Sequence, residues 1–77
     1  MNERLRGELP EILGKPLSLG EFEVLELLAR GCRYSEIARF RGRSVPTIKG
    51  EARRVFQKLG AVNAAHAVTI AKDKGLL

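Results

Sequence analysis

The chain has 77 residues and a net charge of +5, a length that allows one domain and leaves little core around which to build a pocket for cofactor and substrate. Hydrophobic residues at 44% and charged residues at 30% exclude a disordered chain, and no run of about 18 apolar residues is present to cross a membrane. No enzyme is expected.

Residues 1–16 read as an arm or a short helix. Leu5, Leu9, Ile12 and Leu13 have helical spacing, but Pro10 falls among them and costs a helix interior about 3 kcal/mol. The first firm helix starts at Ser18, where Ser18-Leu19-Gly20-Glu21 forms a capping box. Phe22, Leu25, Leu28 and Ala29 make its apolar stripe, and Gly31 follows its last turn. The second helix is short, residues 34–41, and is expected to bury Ile37, Ala38 and Phe40. The third begins after Ser44, an N-cap residue, with Pro46 in its first turn. Its apolar positions are Ile48, Ala52, Val55, Phe56 and Leu59, and Gly60 closes it. The fourth is capped by Asn63, turns Ala67, Val68, Ile70 and Ala71 inward, and stops at Gly75. No segment alternates with a period of two, so the fold class is all-α: a small four-helix domain.

Charge is unevenly spread. Residues 1–29 carry three basic and six acidic side chains, whereas residues 30–58 carry nine basic and two acidic. A central block this basic marks a surface for a polyanion. Helices two and three are joined by Gly42-Arg43-Ser44, the short glycine-containing turn of a helix-turn-helix. On helix three, Lys49, Arg53 and Arg54 point away from Ile48, Ala52 and Val55. Lys49 and Arg53 lie four apart and share a face. A basic face on the second helix of such a pair suits the major groove, where Arg and Lys donate to guanine and neutralise phosphates. The plain alternative for that face is a solvated surface. Cys32 and His66 are the only cysteine and histidine, so no disulfide and no metal site are expected, and no cofactor. Free thiol chemistry fits a cytoplasmic, nucleoid-associated protein.

These residues carry a resemblance. Leu17-Ser18, Glu21, Glu23-Val24-Leu25, Leu28-Ala29, Gly31, Glu36-Ile37-Ala38, Ser44, Thr47-Ile48-Lys49, Lys58-Leu59-Gly60, Asn63, Ala67-Val68 and Gly75-Leu76-Leu77 run in one register. Over residues 17–77 the chain resembles the LuxR/GerE family of DNA-binding domains. The resemblance implies a transcription regulator of double-stranded DNA whose third helix reads the major groove. Base contacts would fall on Lys49, Gly50, Arg53 and Arg54. Phosphate contacts would fall on Tyr34, Ser35, Arg43, Ser44, Thr47 and Lys58. Helix four would pair two copies on DNA through Ala64, Ala65, Val68, Thr69 and Lys72. Glu21 and Glu36 match the family and read as structural, each in a first turn where a carboxylate favours the helix dipole.

The sequence departs from the family at Arg33, where a capping Ser or Thr is usual, and at Arg41 and Arg43, where aliphatic residues are usual. Gly50 weakens a helix interior, and Glu51 replaces a frequent histidine. Phe40 is expected to fill the core space left by Arg41, and Glu51 to repel phosphates wherever it faces DNA. Two other readings stay open: a sigma-factor region-four-like module working with RNA polymerase, and a helix-turn-helix turned to protein interaction. The Leu59-Gly60 break followed by Asn63, Ala67-Val68 and Gly75-Leu76-Leu77 favours the LuxR/GerE type.

Overall fold

Four α-helices and no strand make up the described residues, 13–77, of the computed structural model. They are α1 (Leu19–Ala29), α2 (Tyr34–Arg41), α3 (Val45–Leu59) and α4 (Ala64–Asp73). The arm or short helix expected over residues 1–16 lies outside the described residues as far as residue 12. Residues 13–16 form a turn and an irregular lead-in.

The helix starts follow the chemistry of their caps. Ser18 Oγ accepts from the Glu21 N–H at 3.2 Å while the Glu21 carboxylate accepts from the Ser18 N–H at 2.9 Å, which completes the capping box of α1. Ser44 Oγ accepts from the Thr47 N–H at 3.3 Å ahead of α3. Asn63 Oδ1 accepts from the His66 N–H at 2.8 Å ahead of α4. At α2 the N-cap residue is Arg33, whose side chain caps nothing. Glu36 instead reaches back and accepts from the Arg33 N–H at 2.8 Å, so one of the four free N–H groups at that end is still satisfied.

The α2–α3 turn depends on Gly42, at φ 63° and ψ 37°, a left-handed conformation that a Cβ disfavours. It lets the Arg43 N–H return to the Ala38 carbonyl at 2.9 Å. The chain then re-enters a helix within three residues.

α3 is the central element, in contact with all three other helices. Two apolar clusters sit on its inner side. Val24, Ile37, Ala38, Ile48 and Ala52 join α1, α2 and α3. Leu25, Val55, Ala67 and Ala71 join α1, α3 and α4, and half-buried Phe56 packs against both clusters. Burying a side chain such as Ile48 or Leu25 contributes roughly 1.5–3 kcal/mol each.

Two apolar positions expected inside face solvent. Ala29 is exposed, because the inward stripe of α1 is centred on Val24, Leu25 and Leu28 and the last residue has rotated off it. Phe40 is 76% exposed and does not fill the space beside α2. The residue one turn beyond buried Ile37 is Arg41, not Phe40, and the Arg41 side chain is only 10% exposed.

The lead-in is tied to the far end of α3. The Gly14 N–H donates to the Lys58 carbonyl at 2.8 Å, and Lys58 Nζ donates to the Pro16 carbonyl at 3.0 Å.

Candidate nucleic-acid interface

With both clusters on its inner side, α3 has a fixed outer side. A helix advances about 100° per residue, which sets Gly50 opposite the buried pair Ile48 and Ala52. Arg53 and Arg54 flank it on either hand. Pro46, Thr47, Lys49, Gly50, Arg53 and Arg54 are all exposed. Among the described residues, and apart from Gly50's chain neighbours and the backbone of its own helix, no atom comes within 4 Å of where a Cβ on Gly50 would stand, so their packing does not require a glycine there. A shallow, open depression of about 280 Å³ is lined by Thr47, Gly50, Glu51 and Arg54.

The other residues singled out from sequence fall in different settings. Ser35, Arg43, Ser44 and Thr47 are exposed around the α2 start and the α2–α3 turn, while Tyr34 is half-buried against the first cluster. Ser44 Oγ lies 2.9 Å from Thr47 Oγ1 as well as capping α3, so each hydroxyl already has a partner. Lys58 stands apart from the open basic face. Its ammonium contacts Glu21 Oε1 at 2.6 Å as well as the Pro16 carbonyl, on the flank of α3 turned to α1. On α4, Ala65, Thr69 and Lys72 are exposed and Ala64 and Val68 half-buried, with Val68 packed against the second cluster. Thr69 Oγ1 donates to the Ala65 carbonyl at 3.1 Å.

Glu21, 4% exposed, is a structural carboxylate in this arrangement. Burial pushes its pKa up. The hydrogen bond from Lys58, the Ser18 backbone N–H and the Lys58 charge outweigh burial and hold it below the usual carboxylate value.

Sequence reasoning missed the surroundings of Arg41. Its Nε lies 3.2 Å from Glu23 Oε2, and its Nη1 pairs with Glu51 Oε1. Glu51 therefore has a cationic partner, Arg41 of α2, and both its oxygens lie toward α1 near Gly20. Arg41 and Glu51 are ten residues apart on different helices, and no local spacing signals their meeting. Among the described residues, no group of three or more His, Cys, Asp or Glu side chains is placed to hold a metal ion, and no helix is long and apolar enough to cross a membrane.

Residues 15–71 match the family model for bacterial regulatory proteins of the luxR family. The chain belongs to the LuxR family. The four helices of the described residues, with no strand among them and the α2–α3 pair as helix-turn-helix, are the fold of the LuxR/GerE domain. The LuxR family is one of regulators rather than of enzymes. The chain is 40% identical over 57 residues to the "Transcriptional regulatory protein YdfI" of Bacillus subtilis (strain 168), a stretch that covers 74% of this chain and 27% of that protein. It is 38% identical over 60 residues to the "Transcriptional activator protein CarR" of Pectobacterium carotovorum subsp. carotovorum, covering 78% of this chain and 25% of that protein. This LuxR-family chain thus spans about a quarter of the length of either relative.

Proposed function

We propose that the chain is the DNA-reading domain of a bacterial transcription regulator, with α3 lying in the major groove of duplex DNA. The observation that carries this is the outer face of α3: Lys49, Arg53 and Arg54 are exposed on the helix that both apolar clusters hold in place. Such a face meets phosphates with charge and base edges with donors. Lys49, Gly50, Arg53 and Arg54 take the base edges. Tyr34, Ser35, Arg43, Ser44 and Thr47 surround them and take the phosphates. Lys58 supports α3 from the side through Glu21 and makes no phosphate contact. The two relatives' printed names, a transcriptional regulator and an activator, agree with the class of activity. In the cell such a domain would sit on the nucleoid, with DNA as its partner, and a contact to RNA polymerase would follow if it activates.

Two copies bind one site, joined through the outward side of α4 at Ala64, Ala65, Thr69 and Lys72, while Val68 packs inward on the second cluster. Dimers of this kind read half-sites about 10–10.5 bp apart or a multiple of that spacing. The deciding experiment is a selection of bound sequences from random duplex DNA, repeated at two salt concentrations. It should return an enriched motif, with log affinity falling against log salt at about −0.9 for each phosphate neutralised. Binding that ignores salt, or no binding, removes the proposal.

A further inference from the structure

We propose that Arg41 is a positioning residue that turns the Glu51 carboxylate away from the DNA face, and that Gly20 supplies the space in which the pair sits. This rests on the reading of α3 as the DNA face. Glu51 belongs to the same depression as Thr47, Gly50 and Arg54, between side chains proposed to meet DNA. A carboxylate swung out there would confront phosphate oxygens at short range. It does not swing out. One of its oxygens pairs with Arg41 Nη1, and the guanidinium also lies 3.2 Å from Glu23 through Nε.

Gly20 shows where the pair lies. A Cβ built on Gly20 would come within 2.7 Å of Arg41 Nη2 and 2.8 Å of Glu51 Oε2, closer than real Cβ atoms sit. The second carboxylate oxygen therefore also faces α1, not the groove. Either side chain alone could step aside for a methyl group, since both ends are flexible. Together they hold one another in place, and Glu23 on the Nε side anchors the largely buried Arg41 guanidinium, so a methyl group on Gly20 displaces the Glu51 end of the pair. Gly20 on α1, Arg41 on α2 and Glu51 on α3 thus form one unit that converts an acidic residue on the basic face into an internal ion pair.

The test is a cycle of variants with a labelled mixed-sequence duplex at moderate salt, each variant also followed by thermal unfolding. Gly20→Ala changes no charge and suits a helix. It should weaken binding about fivefold, the effect of one like-charge contact near 4 Å in a water-like dielectric. In a Glu51→Gln background the same change should have no effect. Equal losses in both backgrounds, or none in either, overturn the proposal. Should Gly20→Ala fail to fold, Arg41→Met decides. Its loss of affinity should be recovered by adding Glu51→Gln and not by adding Glu26→Gln, which restores the same net charge elsewhere on the domain. Recovery by both means that only net charge matters, and the proposal falls. A wild-type chain that does not bind duplex DNA removes the DNA reading along with it. A wild type that binds while the cycle fails removes the positioning role alone.

Discussion

Lys58, in the last turn of α3, reaches Glu21, in the first turn of α1, at 2.6 Å. The contact joins two helix ends that are 37 residues apart in the chain. Both side chains are largely buried, at 15% and 5% exposure. Removing one partner leaves the other charge buried and alone. Lys58→Met should therefore cost about 3 kcal/mol of folding stability in urea unfolding. Duplex affinity, measured where the variant is still folded, should change little. A large and sequence-independent loss of affinity in folded Lys58→Met would return Lys58 to the phosphate contacts.

The same carboxylate sets an acid limit. Glu21 has a pKa below its ordinary value of 4.5 when folded. A depressed carboxylate contributes stability that is present above the unfolded value and lost as pH falls through the folded one. Glu21→Gln should therefore be less stable than wild type at neutral pH. The gap should close below pH 4.5, through the lower pKa of the folded state. Parallel urea titrations at neutral and strongly acidic pH check it, and a gap that widens toward acid contradicts the sign.

Lys49→Ala and Arg53→Ala should damage binding to a selected sequence more than to scrambled DNA. Each good base contact gives about 1–3 kcal/mol of discrimination. Arg43→Ala, in the α2–α3 turn, should weaken all sequences alike and reduce the salt slope by about one phosphate. If Arg43→Ala and Arg53→Ala behave the same on matched and scrambled duplexes, the division between base and phosphate roles is wrong.

Gly50→Ala separates folding from recognition. Among the described residues nothing beyond the local helix lies near the added methyl, and alanine favours a helix interior by roughly 0.5–1 kcal/mol. Melting temperature should rise by a few degrees. If DNA approaches the helix closely at Gly50, affinity for the selected site should fall in the same variant. Higher melting with undiminished affinity would take Gly50 out of the contact surface.

The two sides of α4 should respond differently to charge. Val68 packs on the second cluster and Thr69 is exposed. Val68→Glu should unfold the domain, while Thr69→Glu should leave it folded and prevent two copies from sharing a palindromic duplex. Sedimentation with and without that duplex reads both. One copy per duplex for wild type would end the α4 dimer.

The helices were legible because their signals are local. Ser18 with Glu21, Ser44 with Pro46, Asn63, and the glycines after each helix all act within a turn of where they stand in the chain. The basic outer face of α3 was legible for the same reason, since one helix carries both it and the apolar positions that orient it. Arg41 was not. Composition favours Phe40 for the interior, but the angular register set by Ile37 points Arg41 inward, and its carboxylate partners come from α1 and α3. The setting of Lys58, placed among the phosphate contacts by family position, was not legible either. Its tie to Glu21 exists only once α1 and α3 are packed together.

The strap at the lead-in has a consequence for how the domain is carried. Gly14 and Pro16 are hydrogen-bonded to Lys58, nine residues along α3 from Lys49, or about 13 Å along the helix axis. The polypeptide therefore enters at the trailing end of α3. Residues 14–16 lie beside the C-terminal end of that helix, about two and a half turns from Lys49. The lead-in and the exposed Lys49 thus lie toward opposite ends of α3, so the chain before the domain joins it away from that part of the basic face.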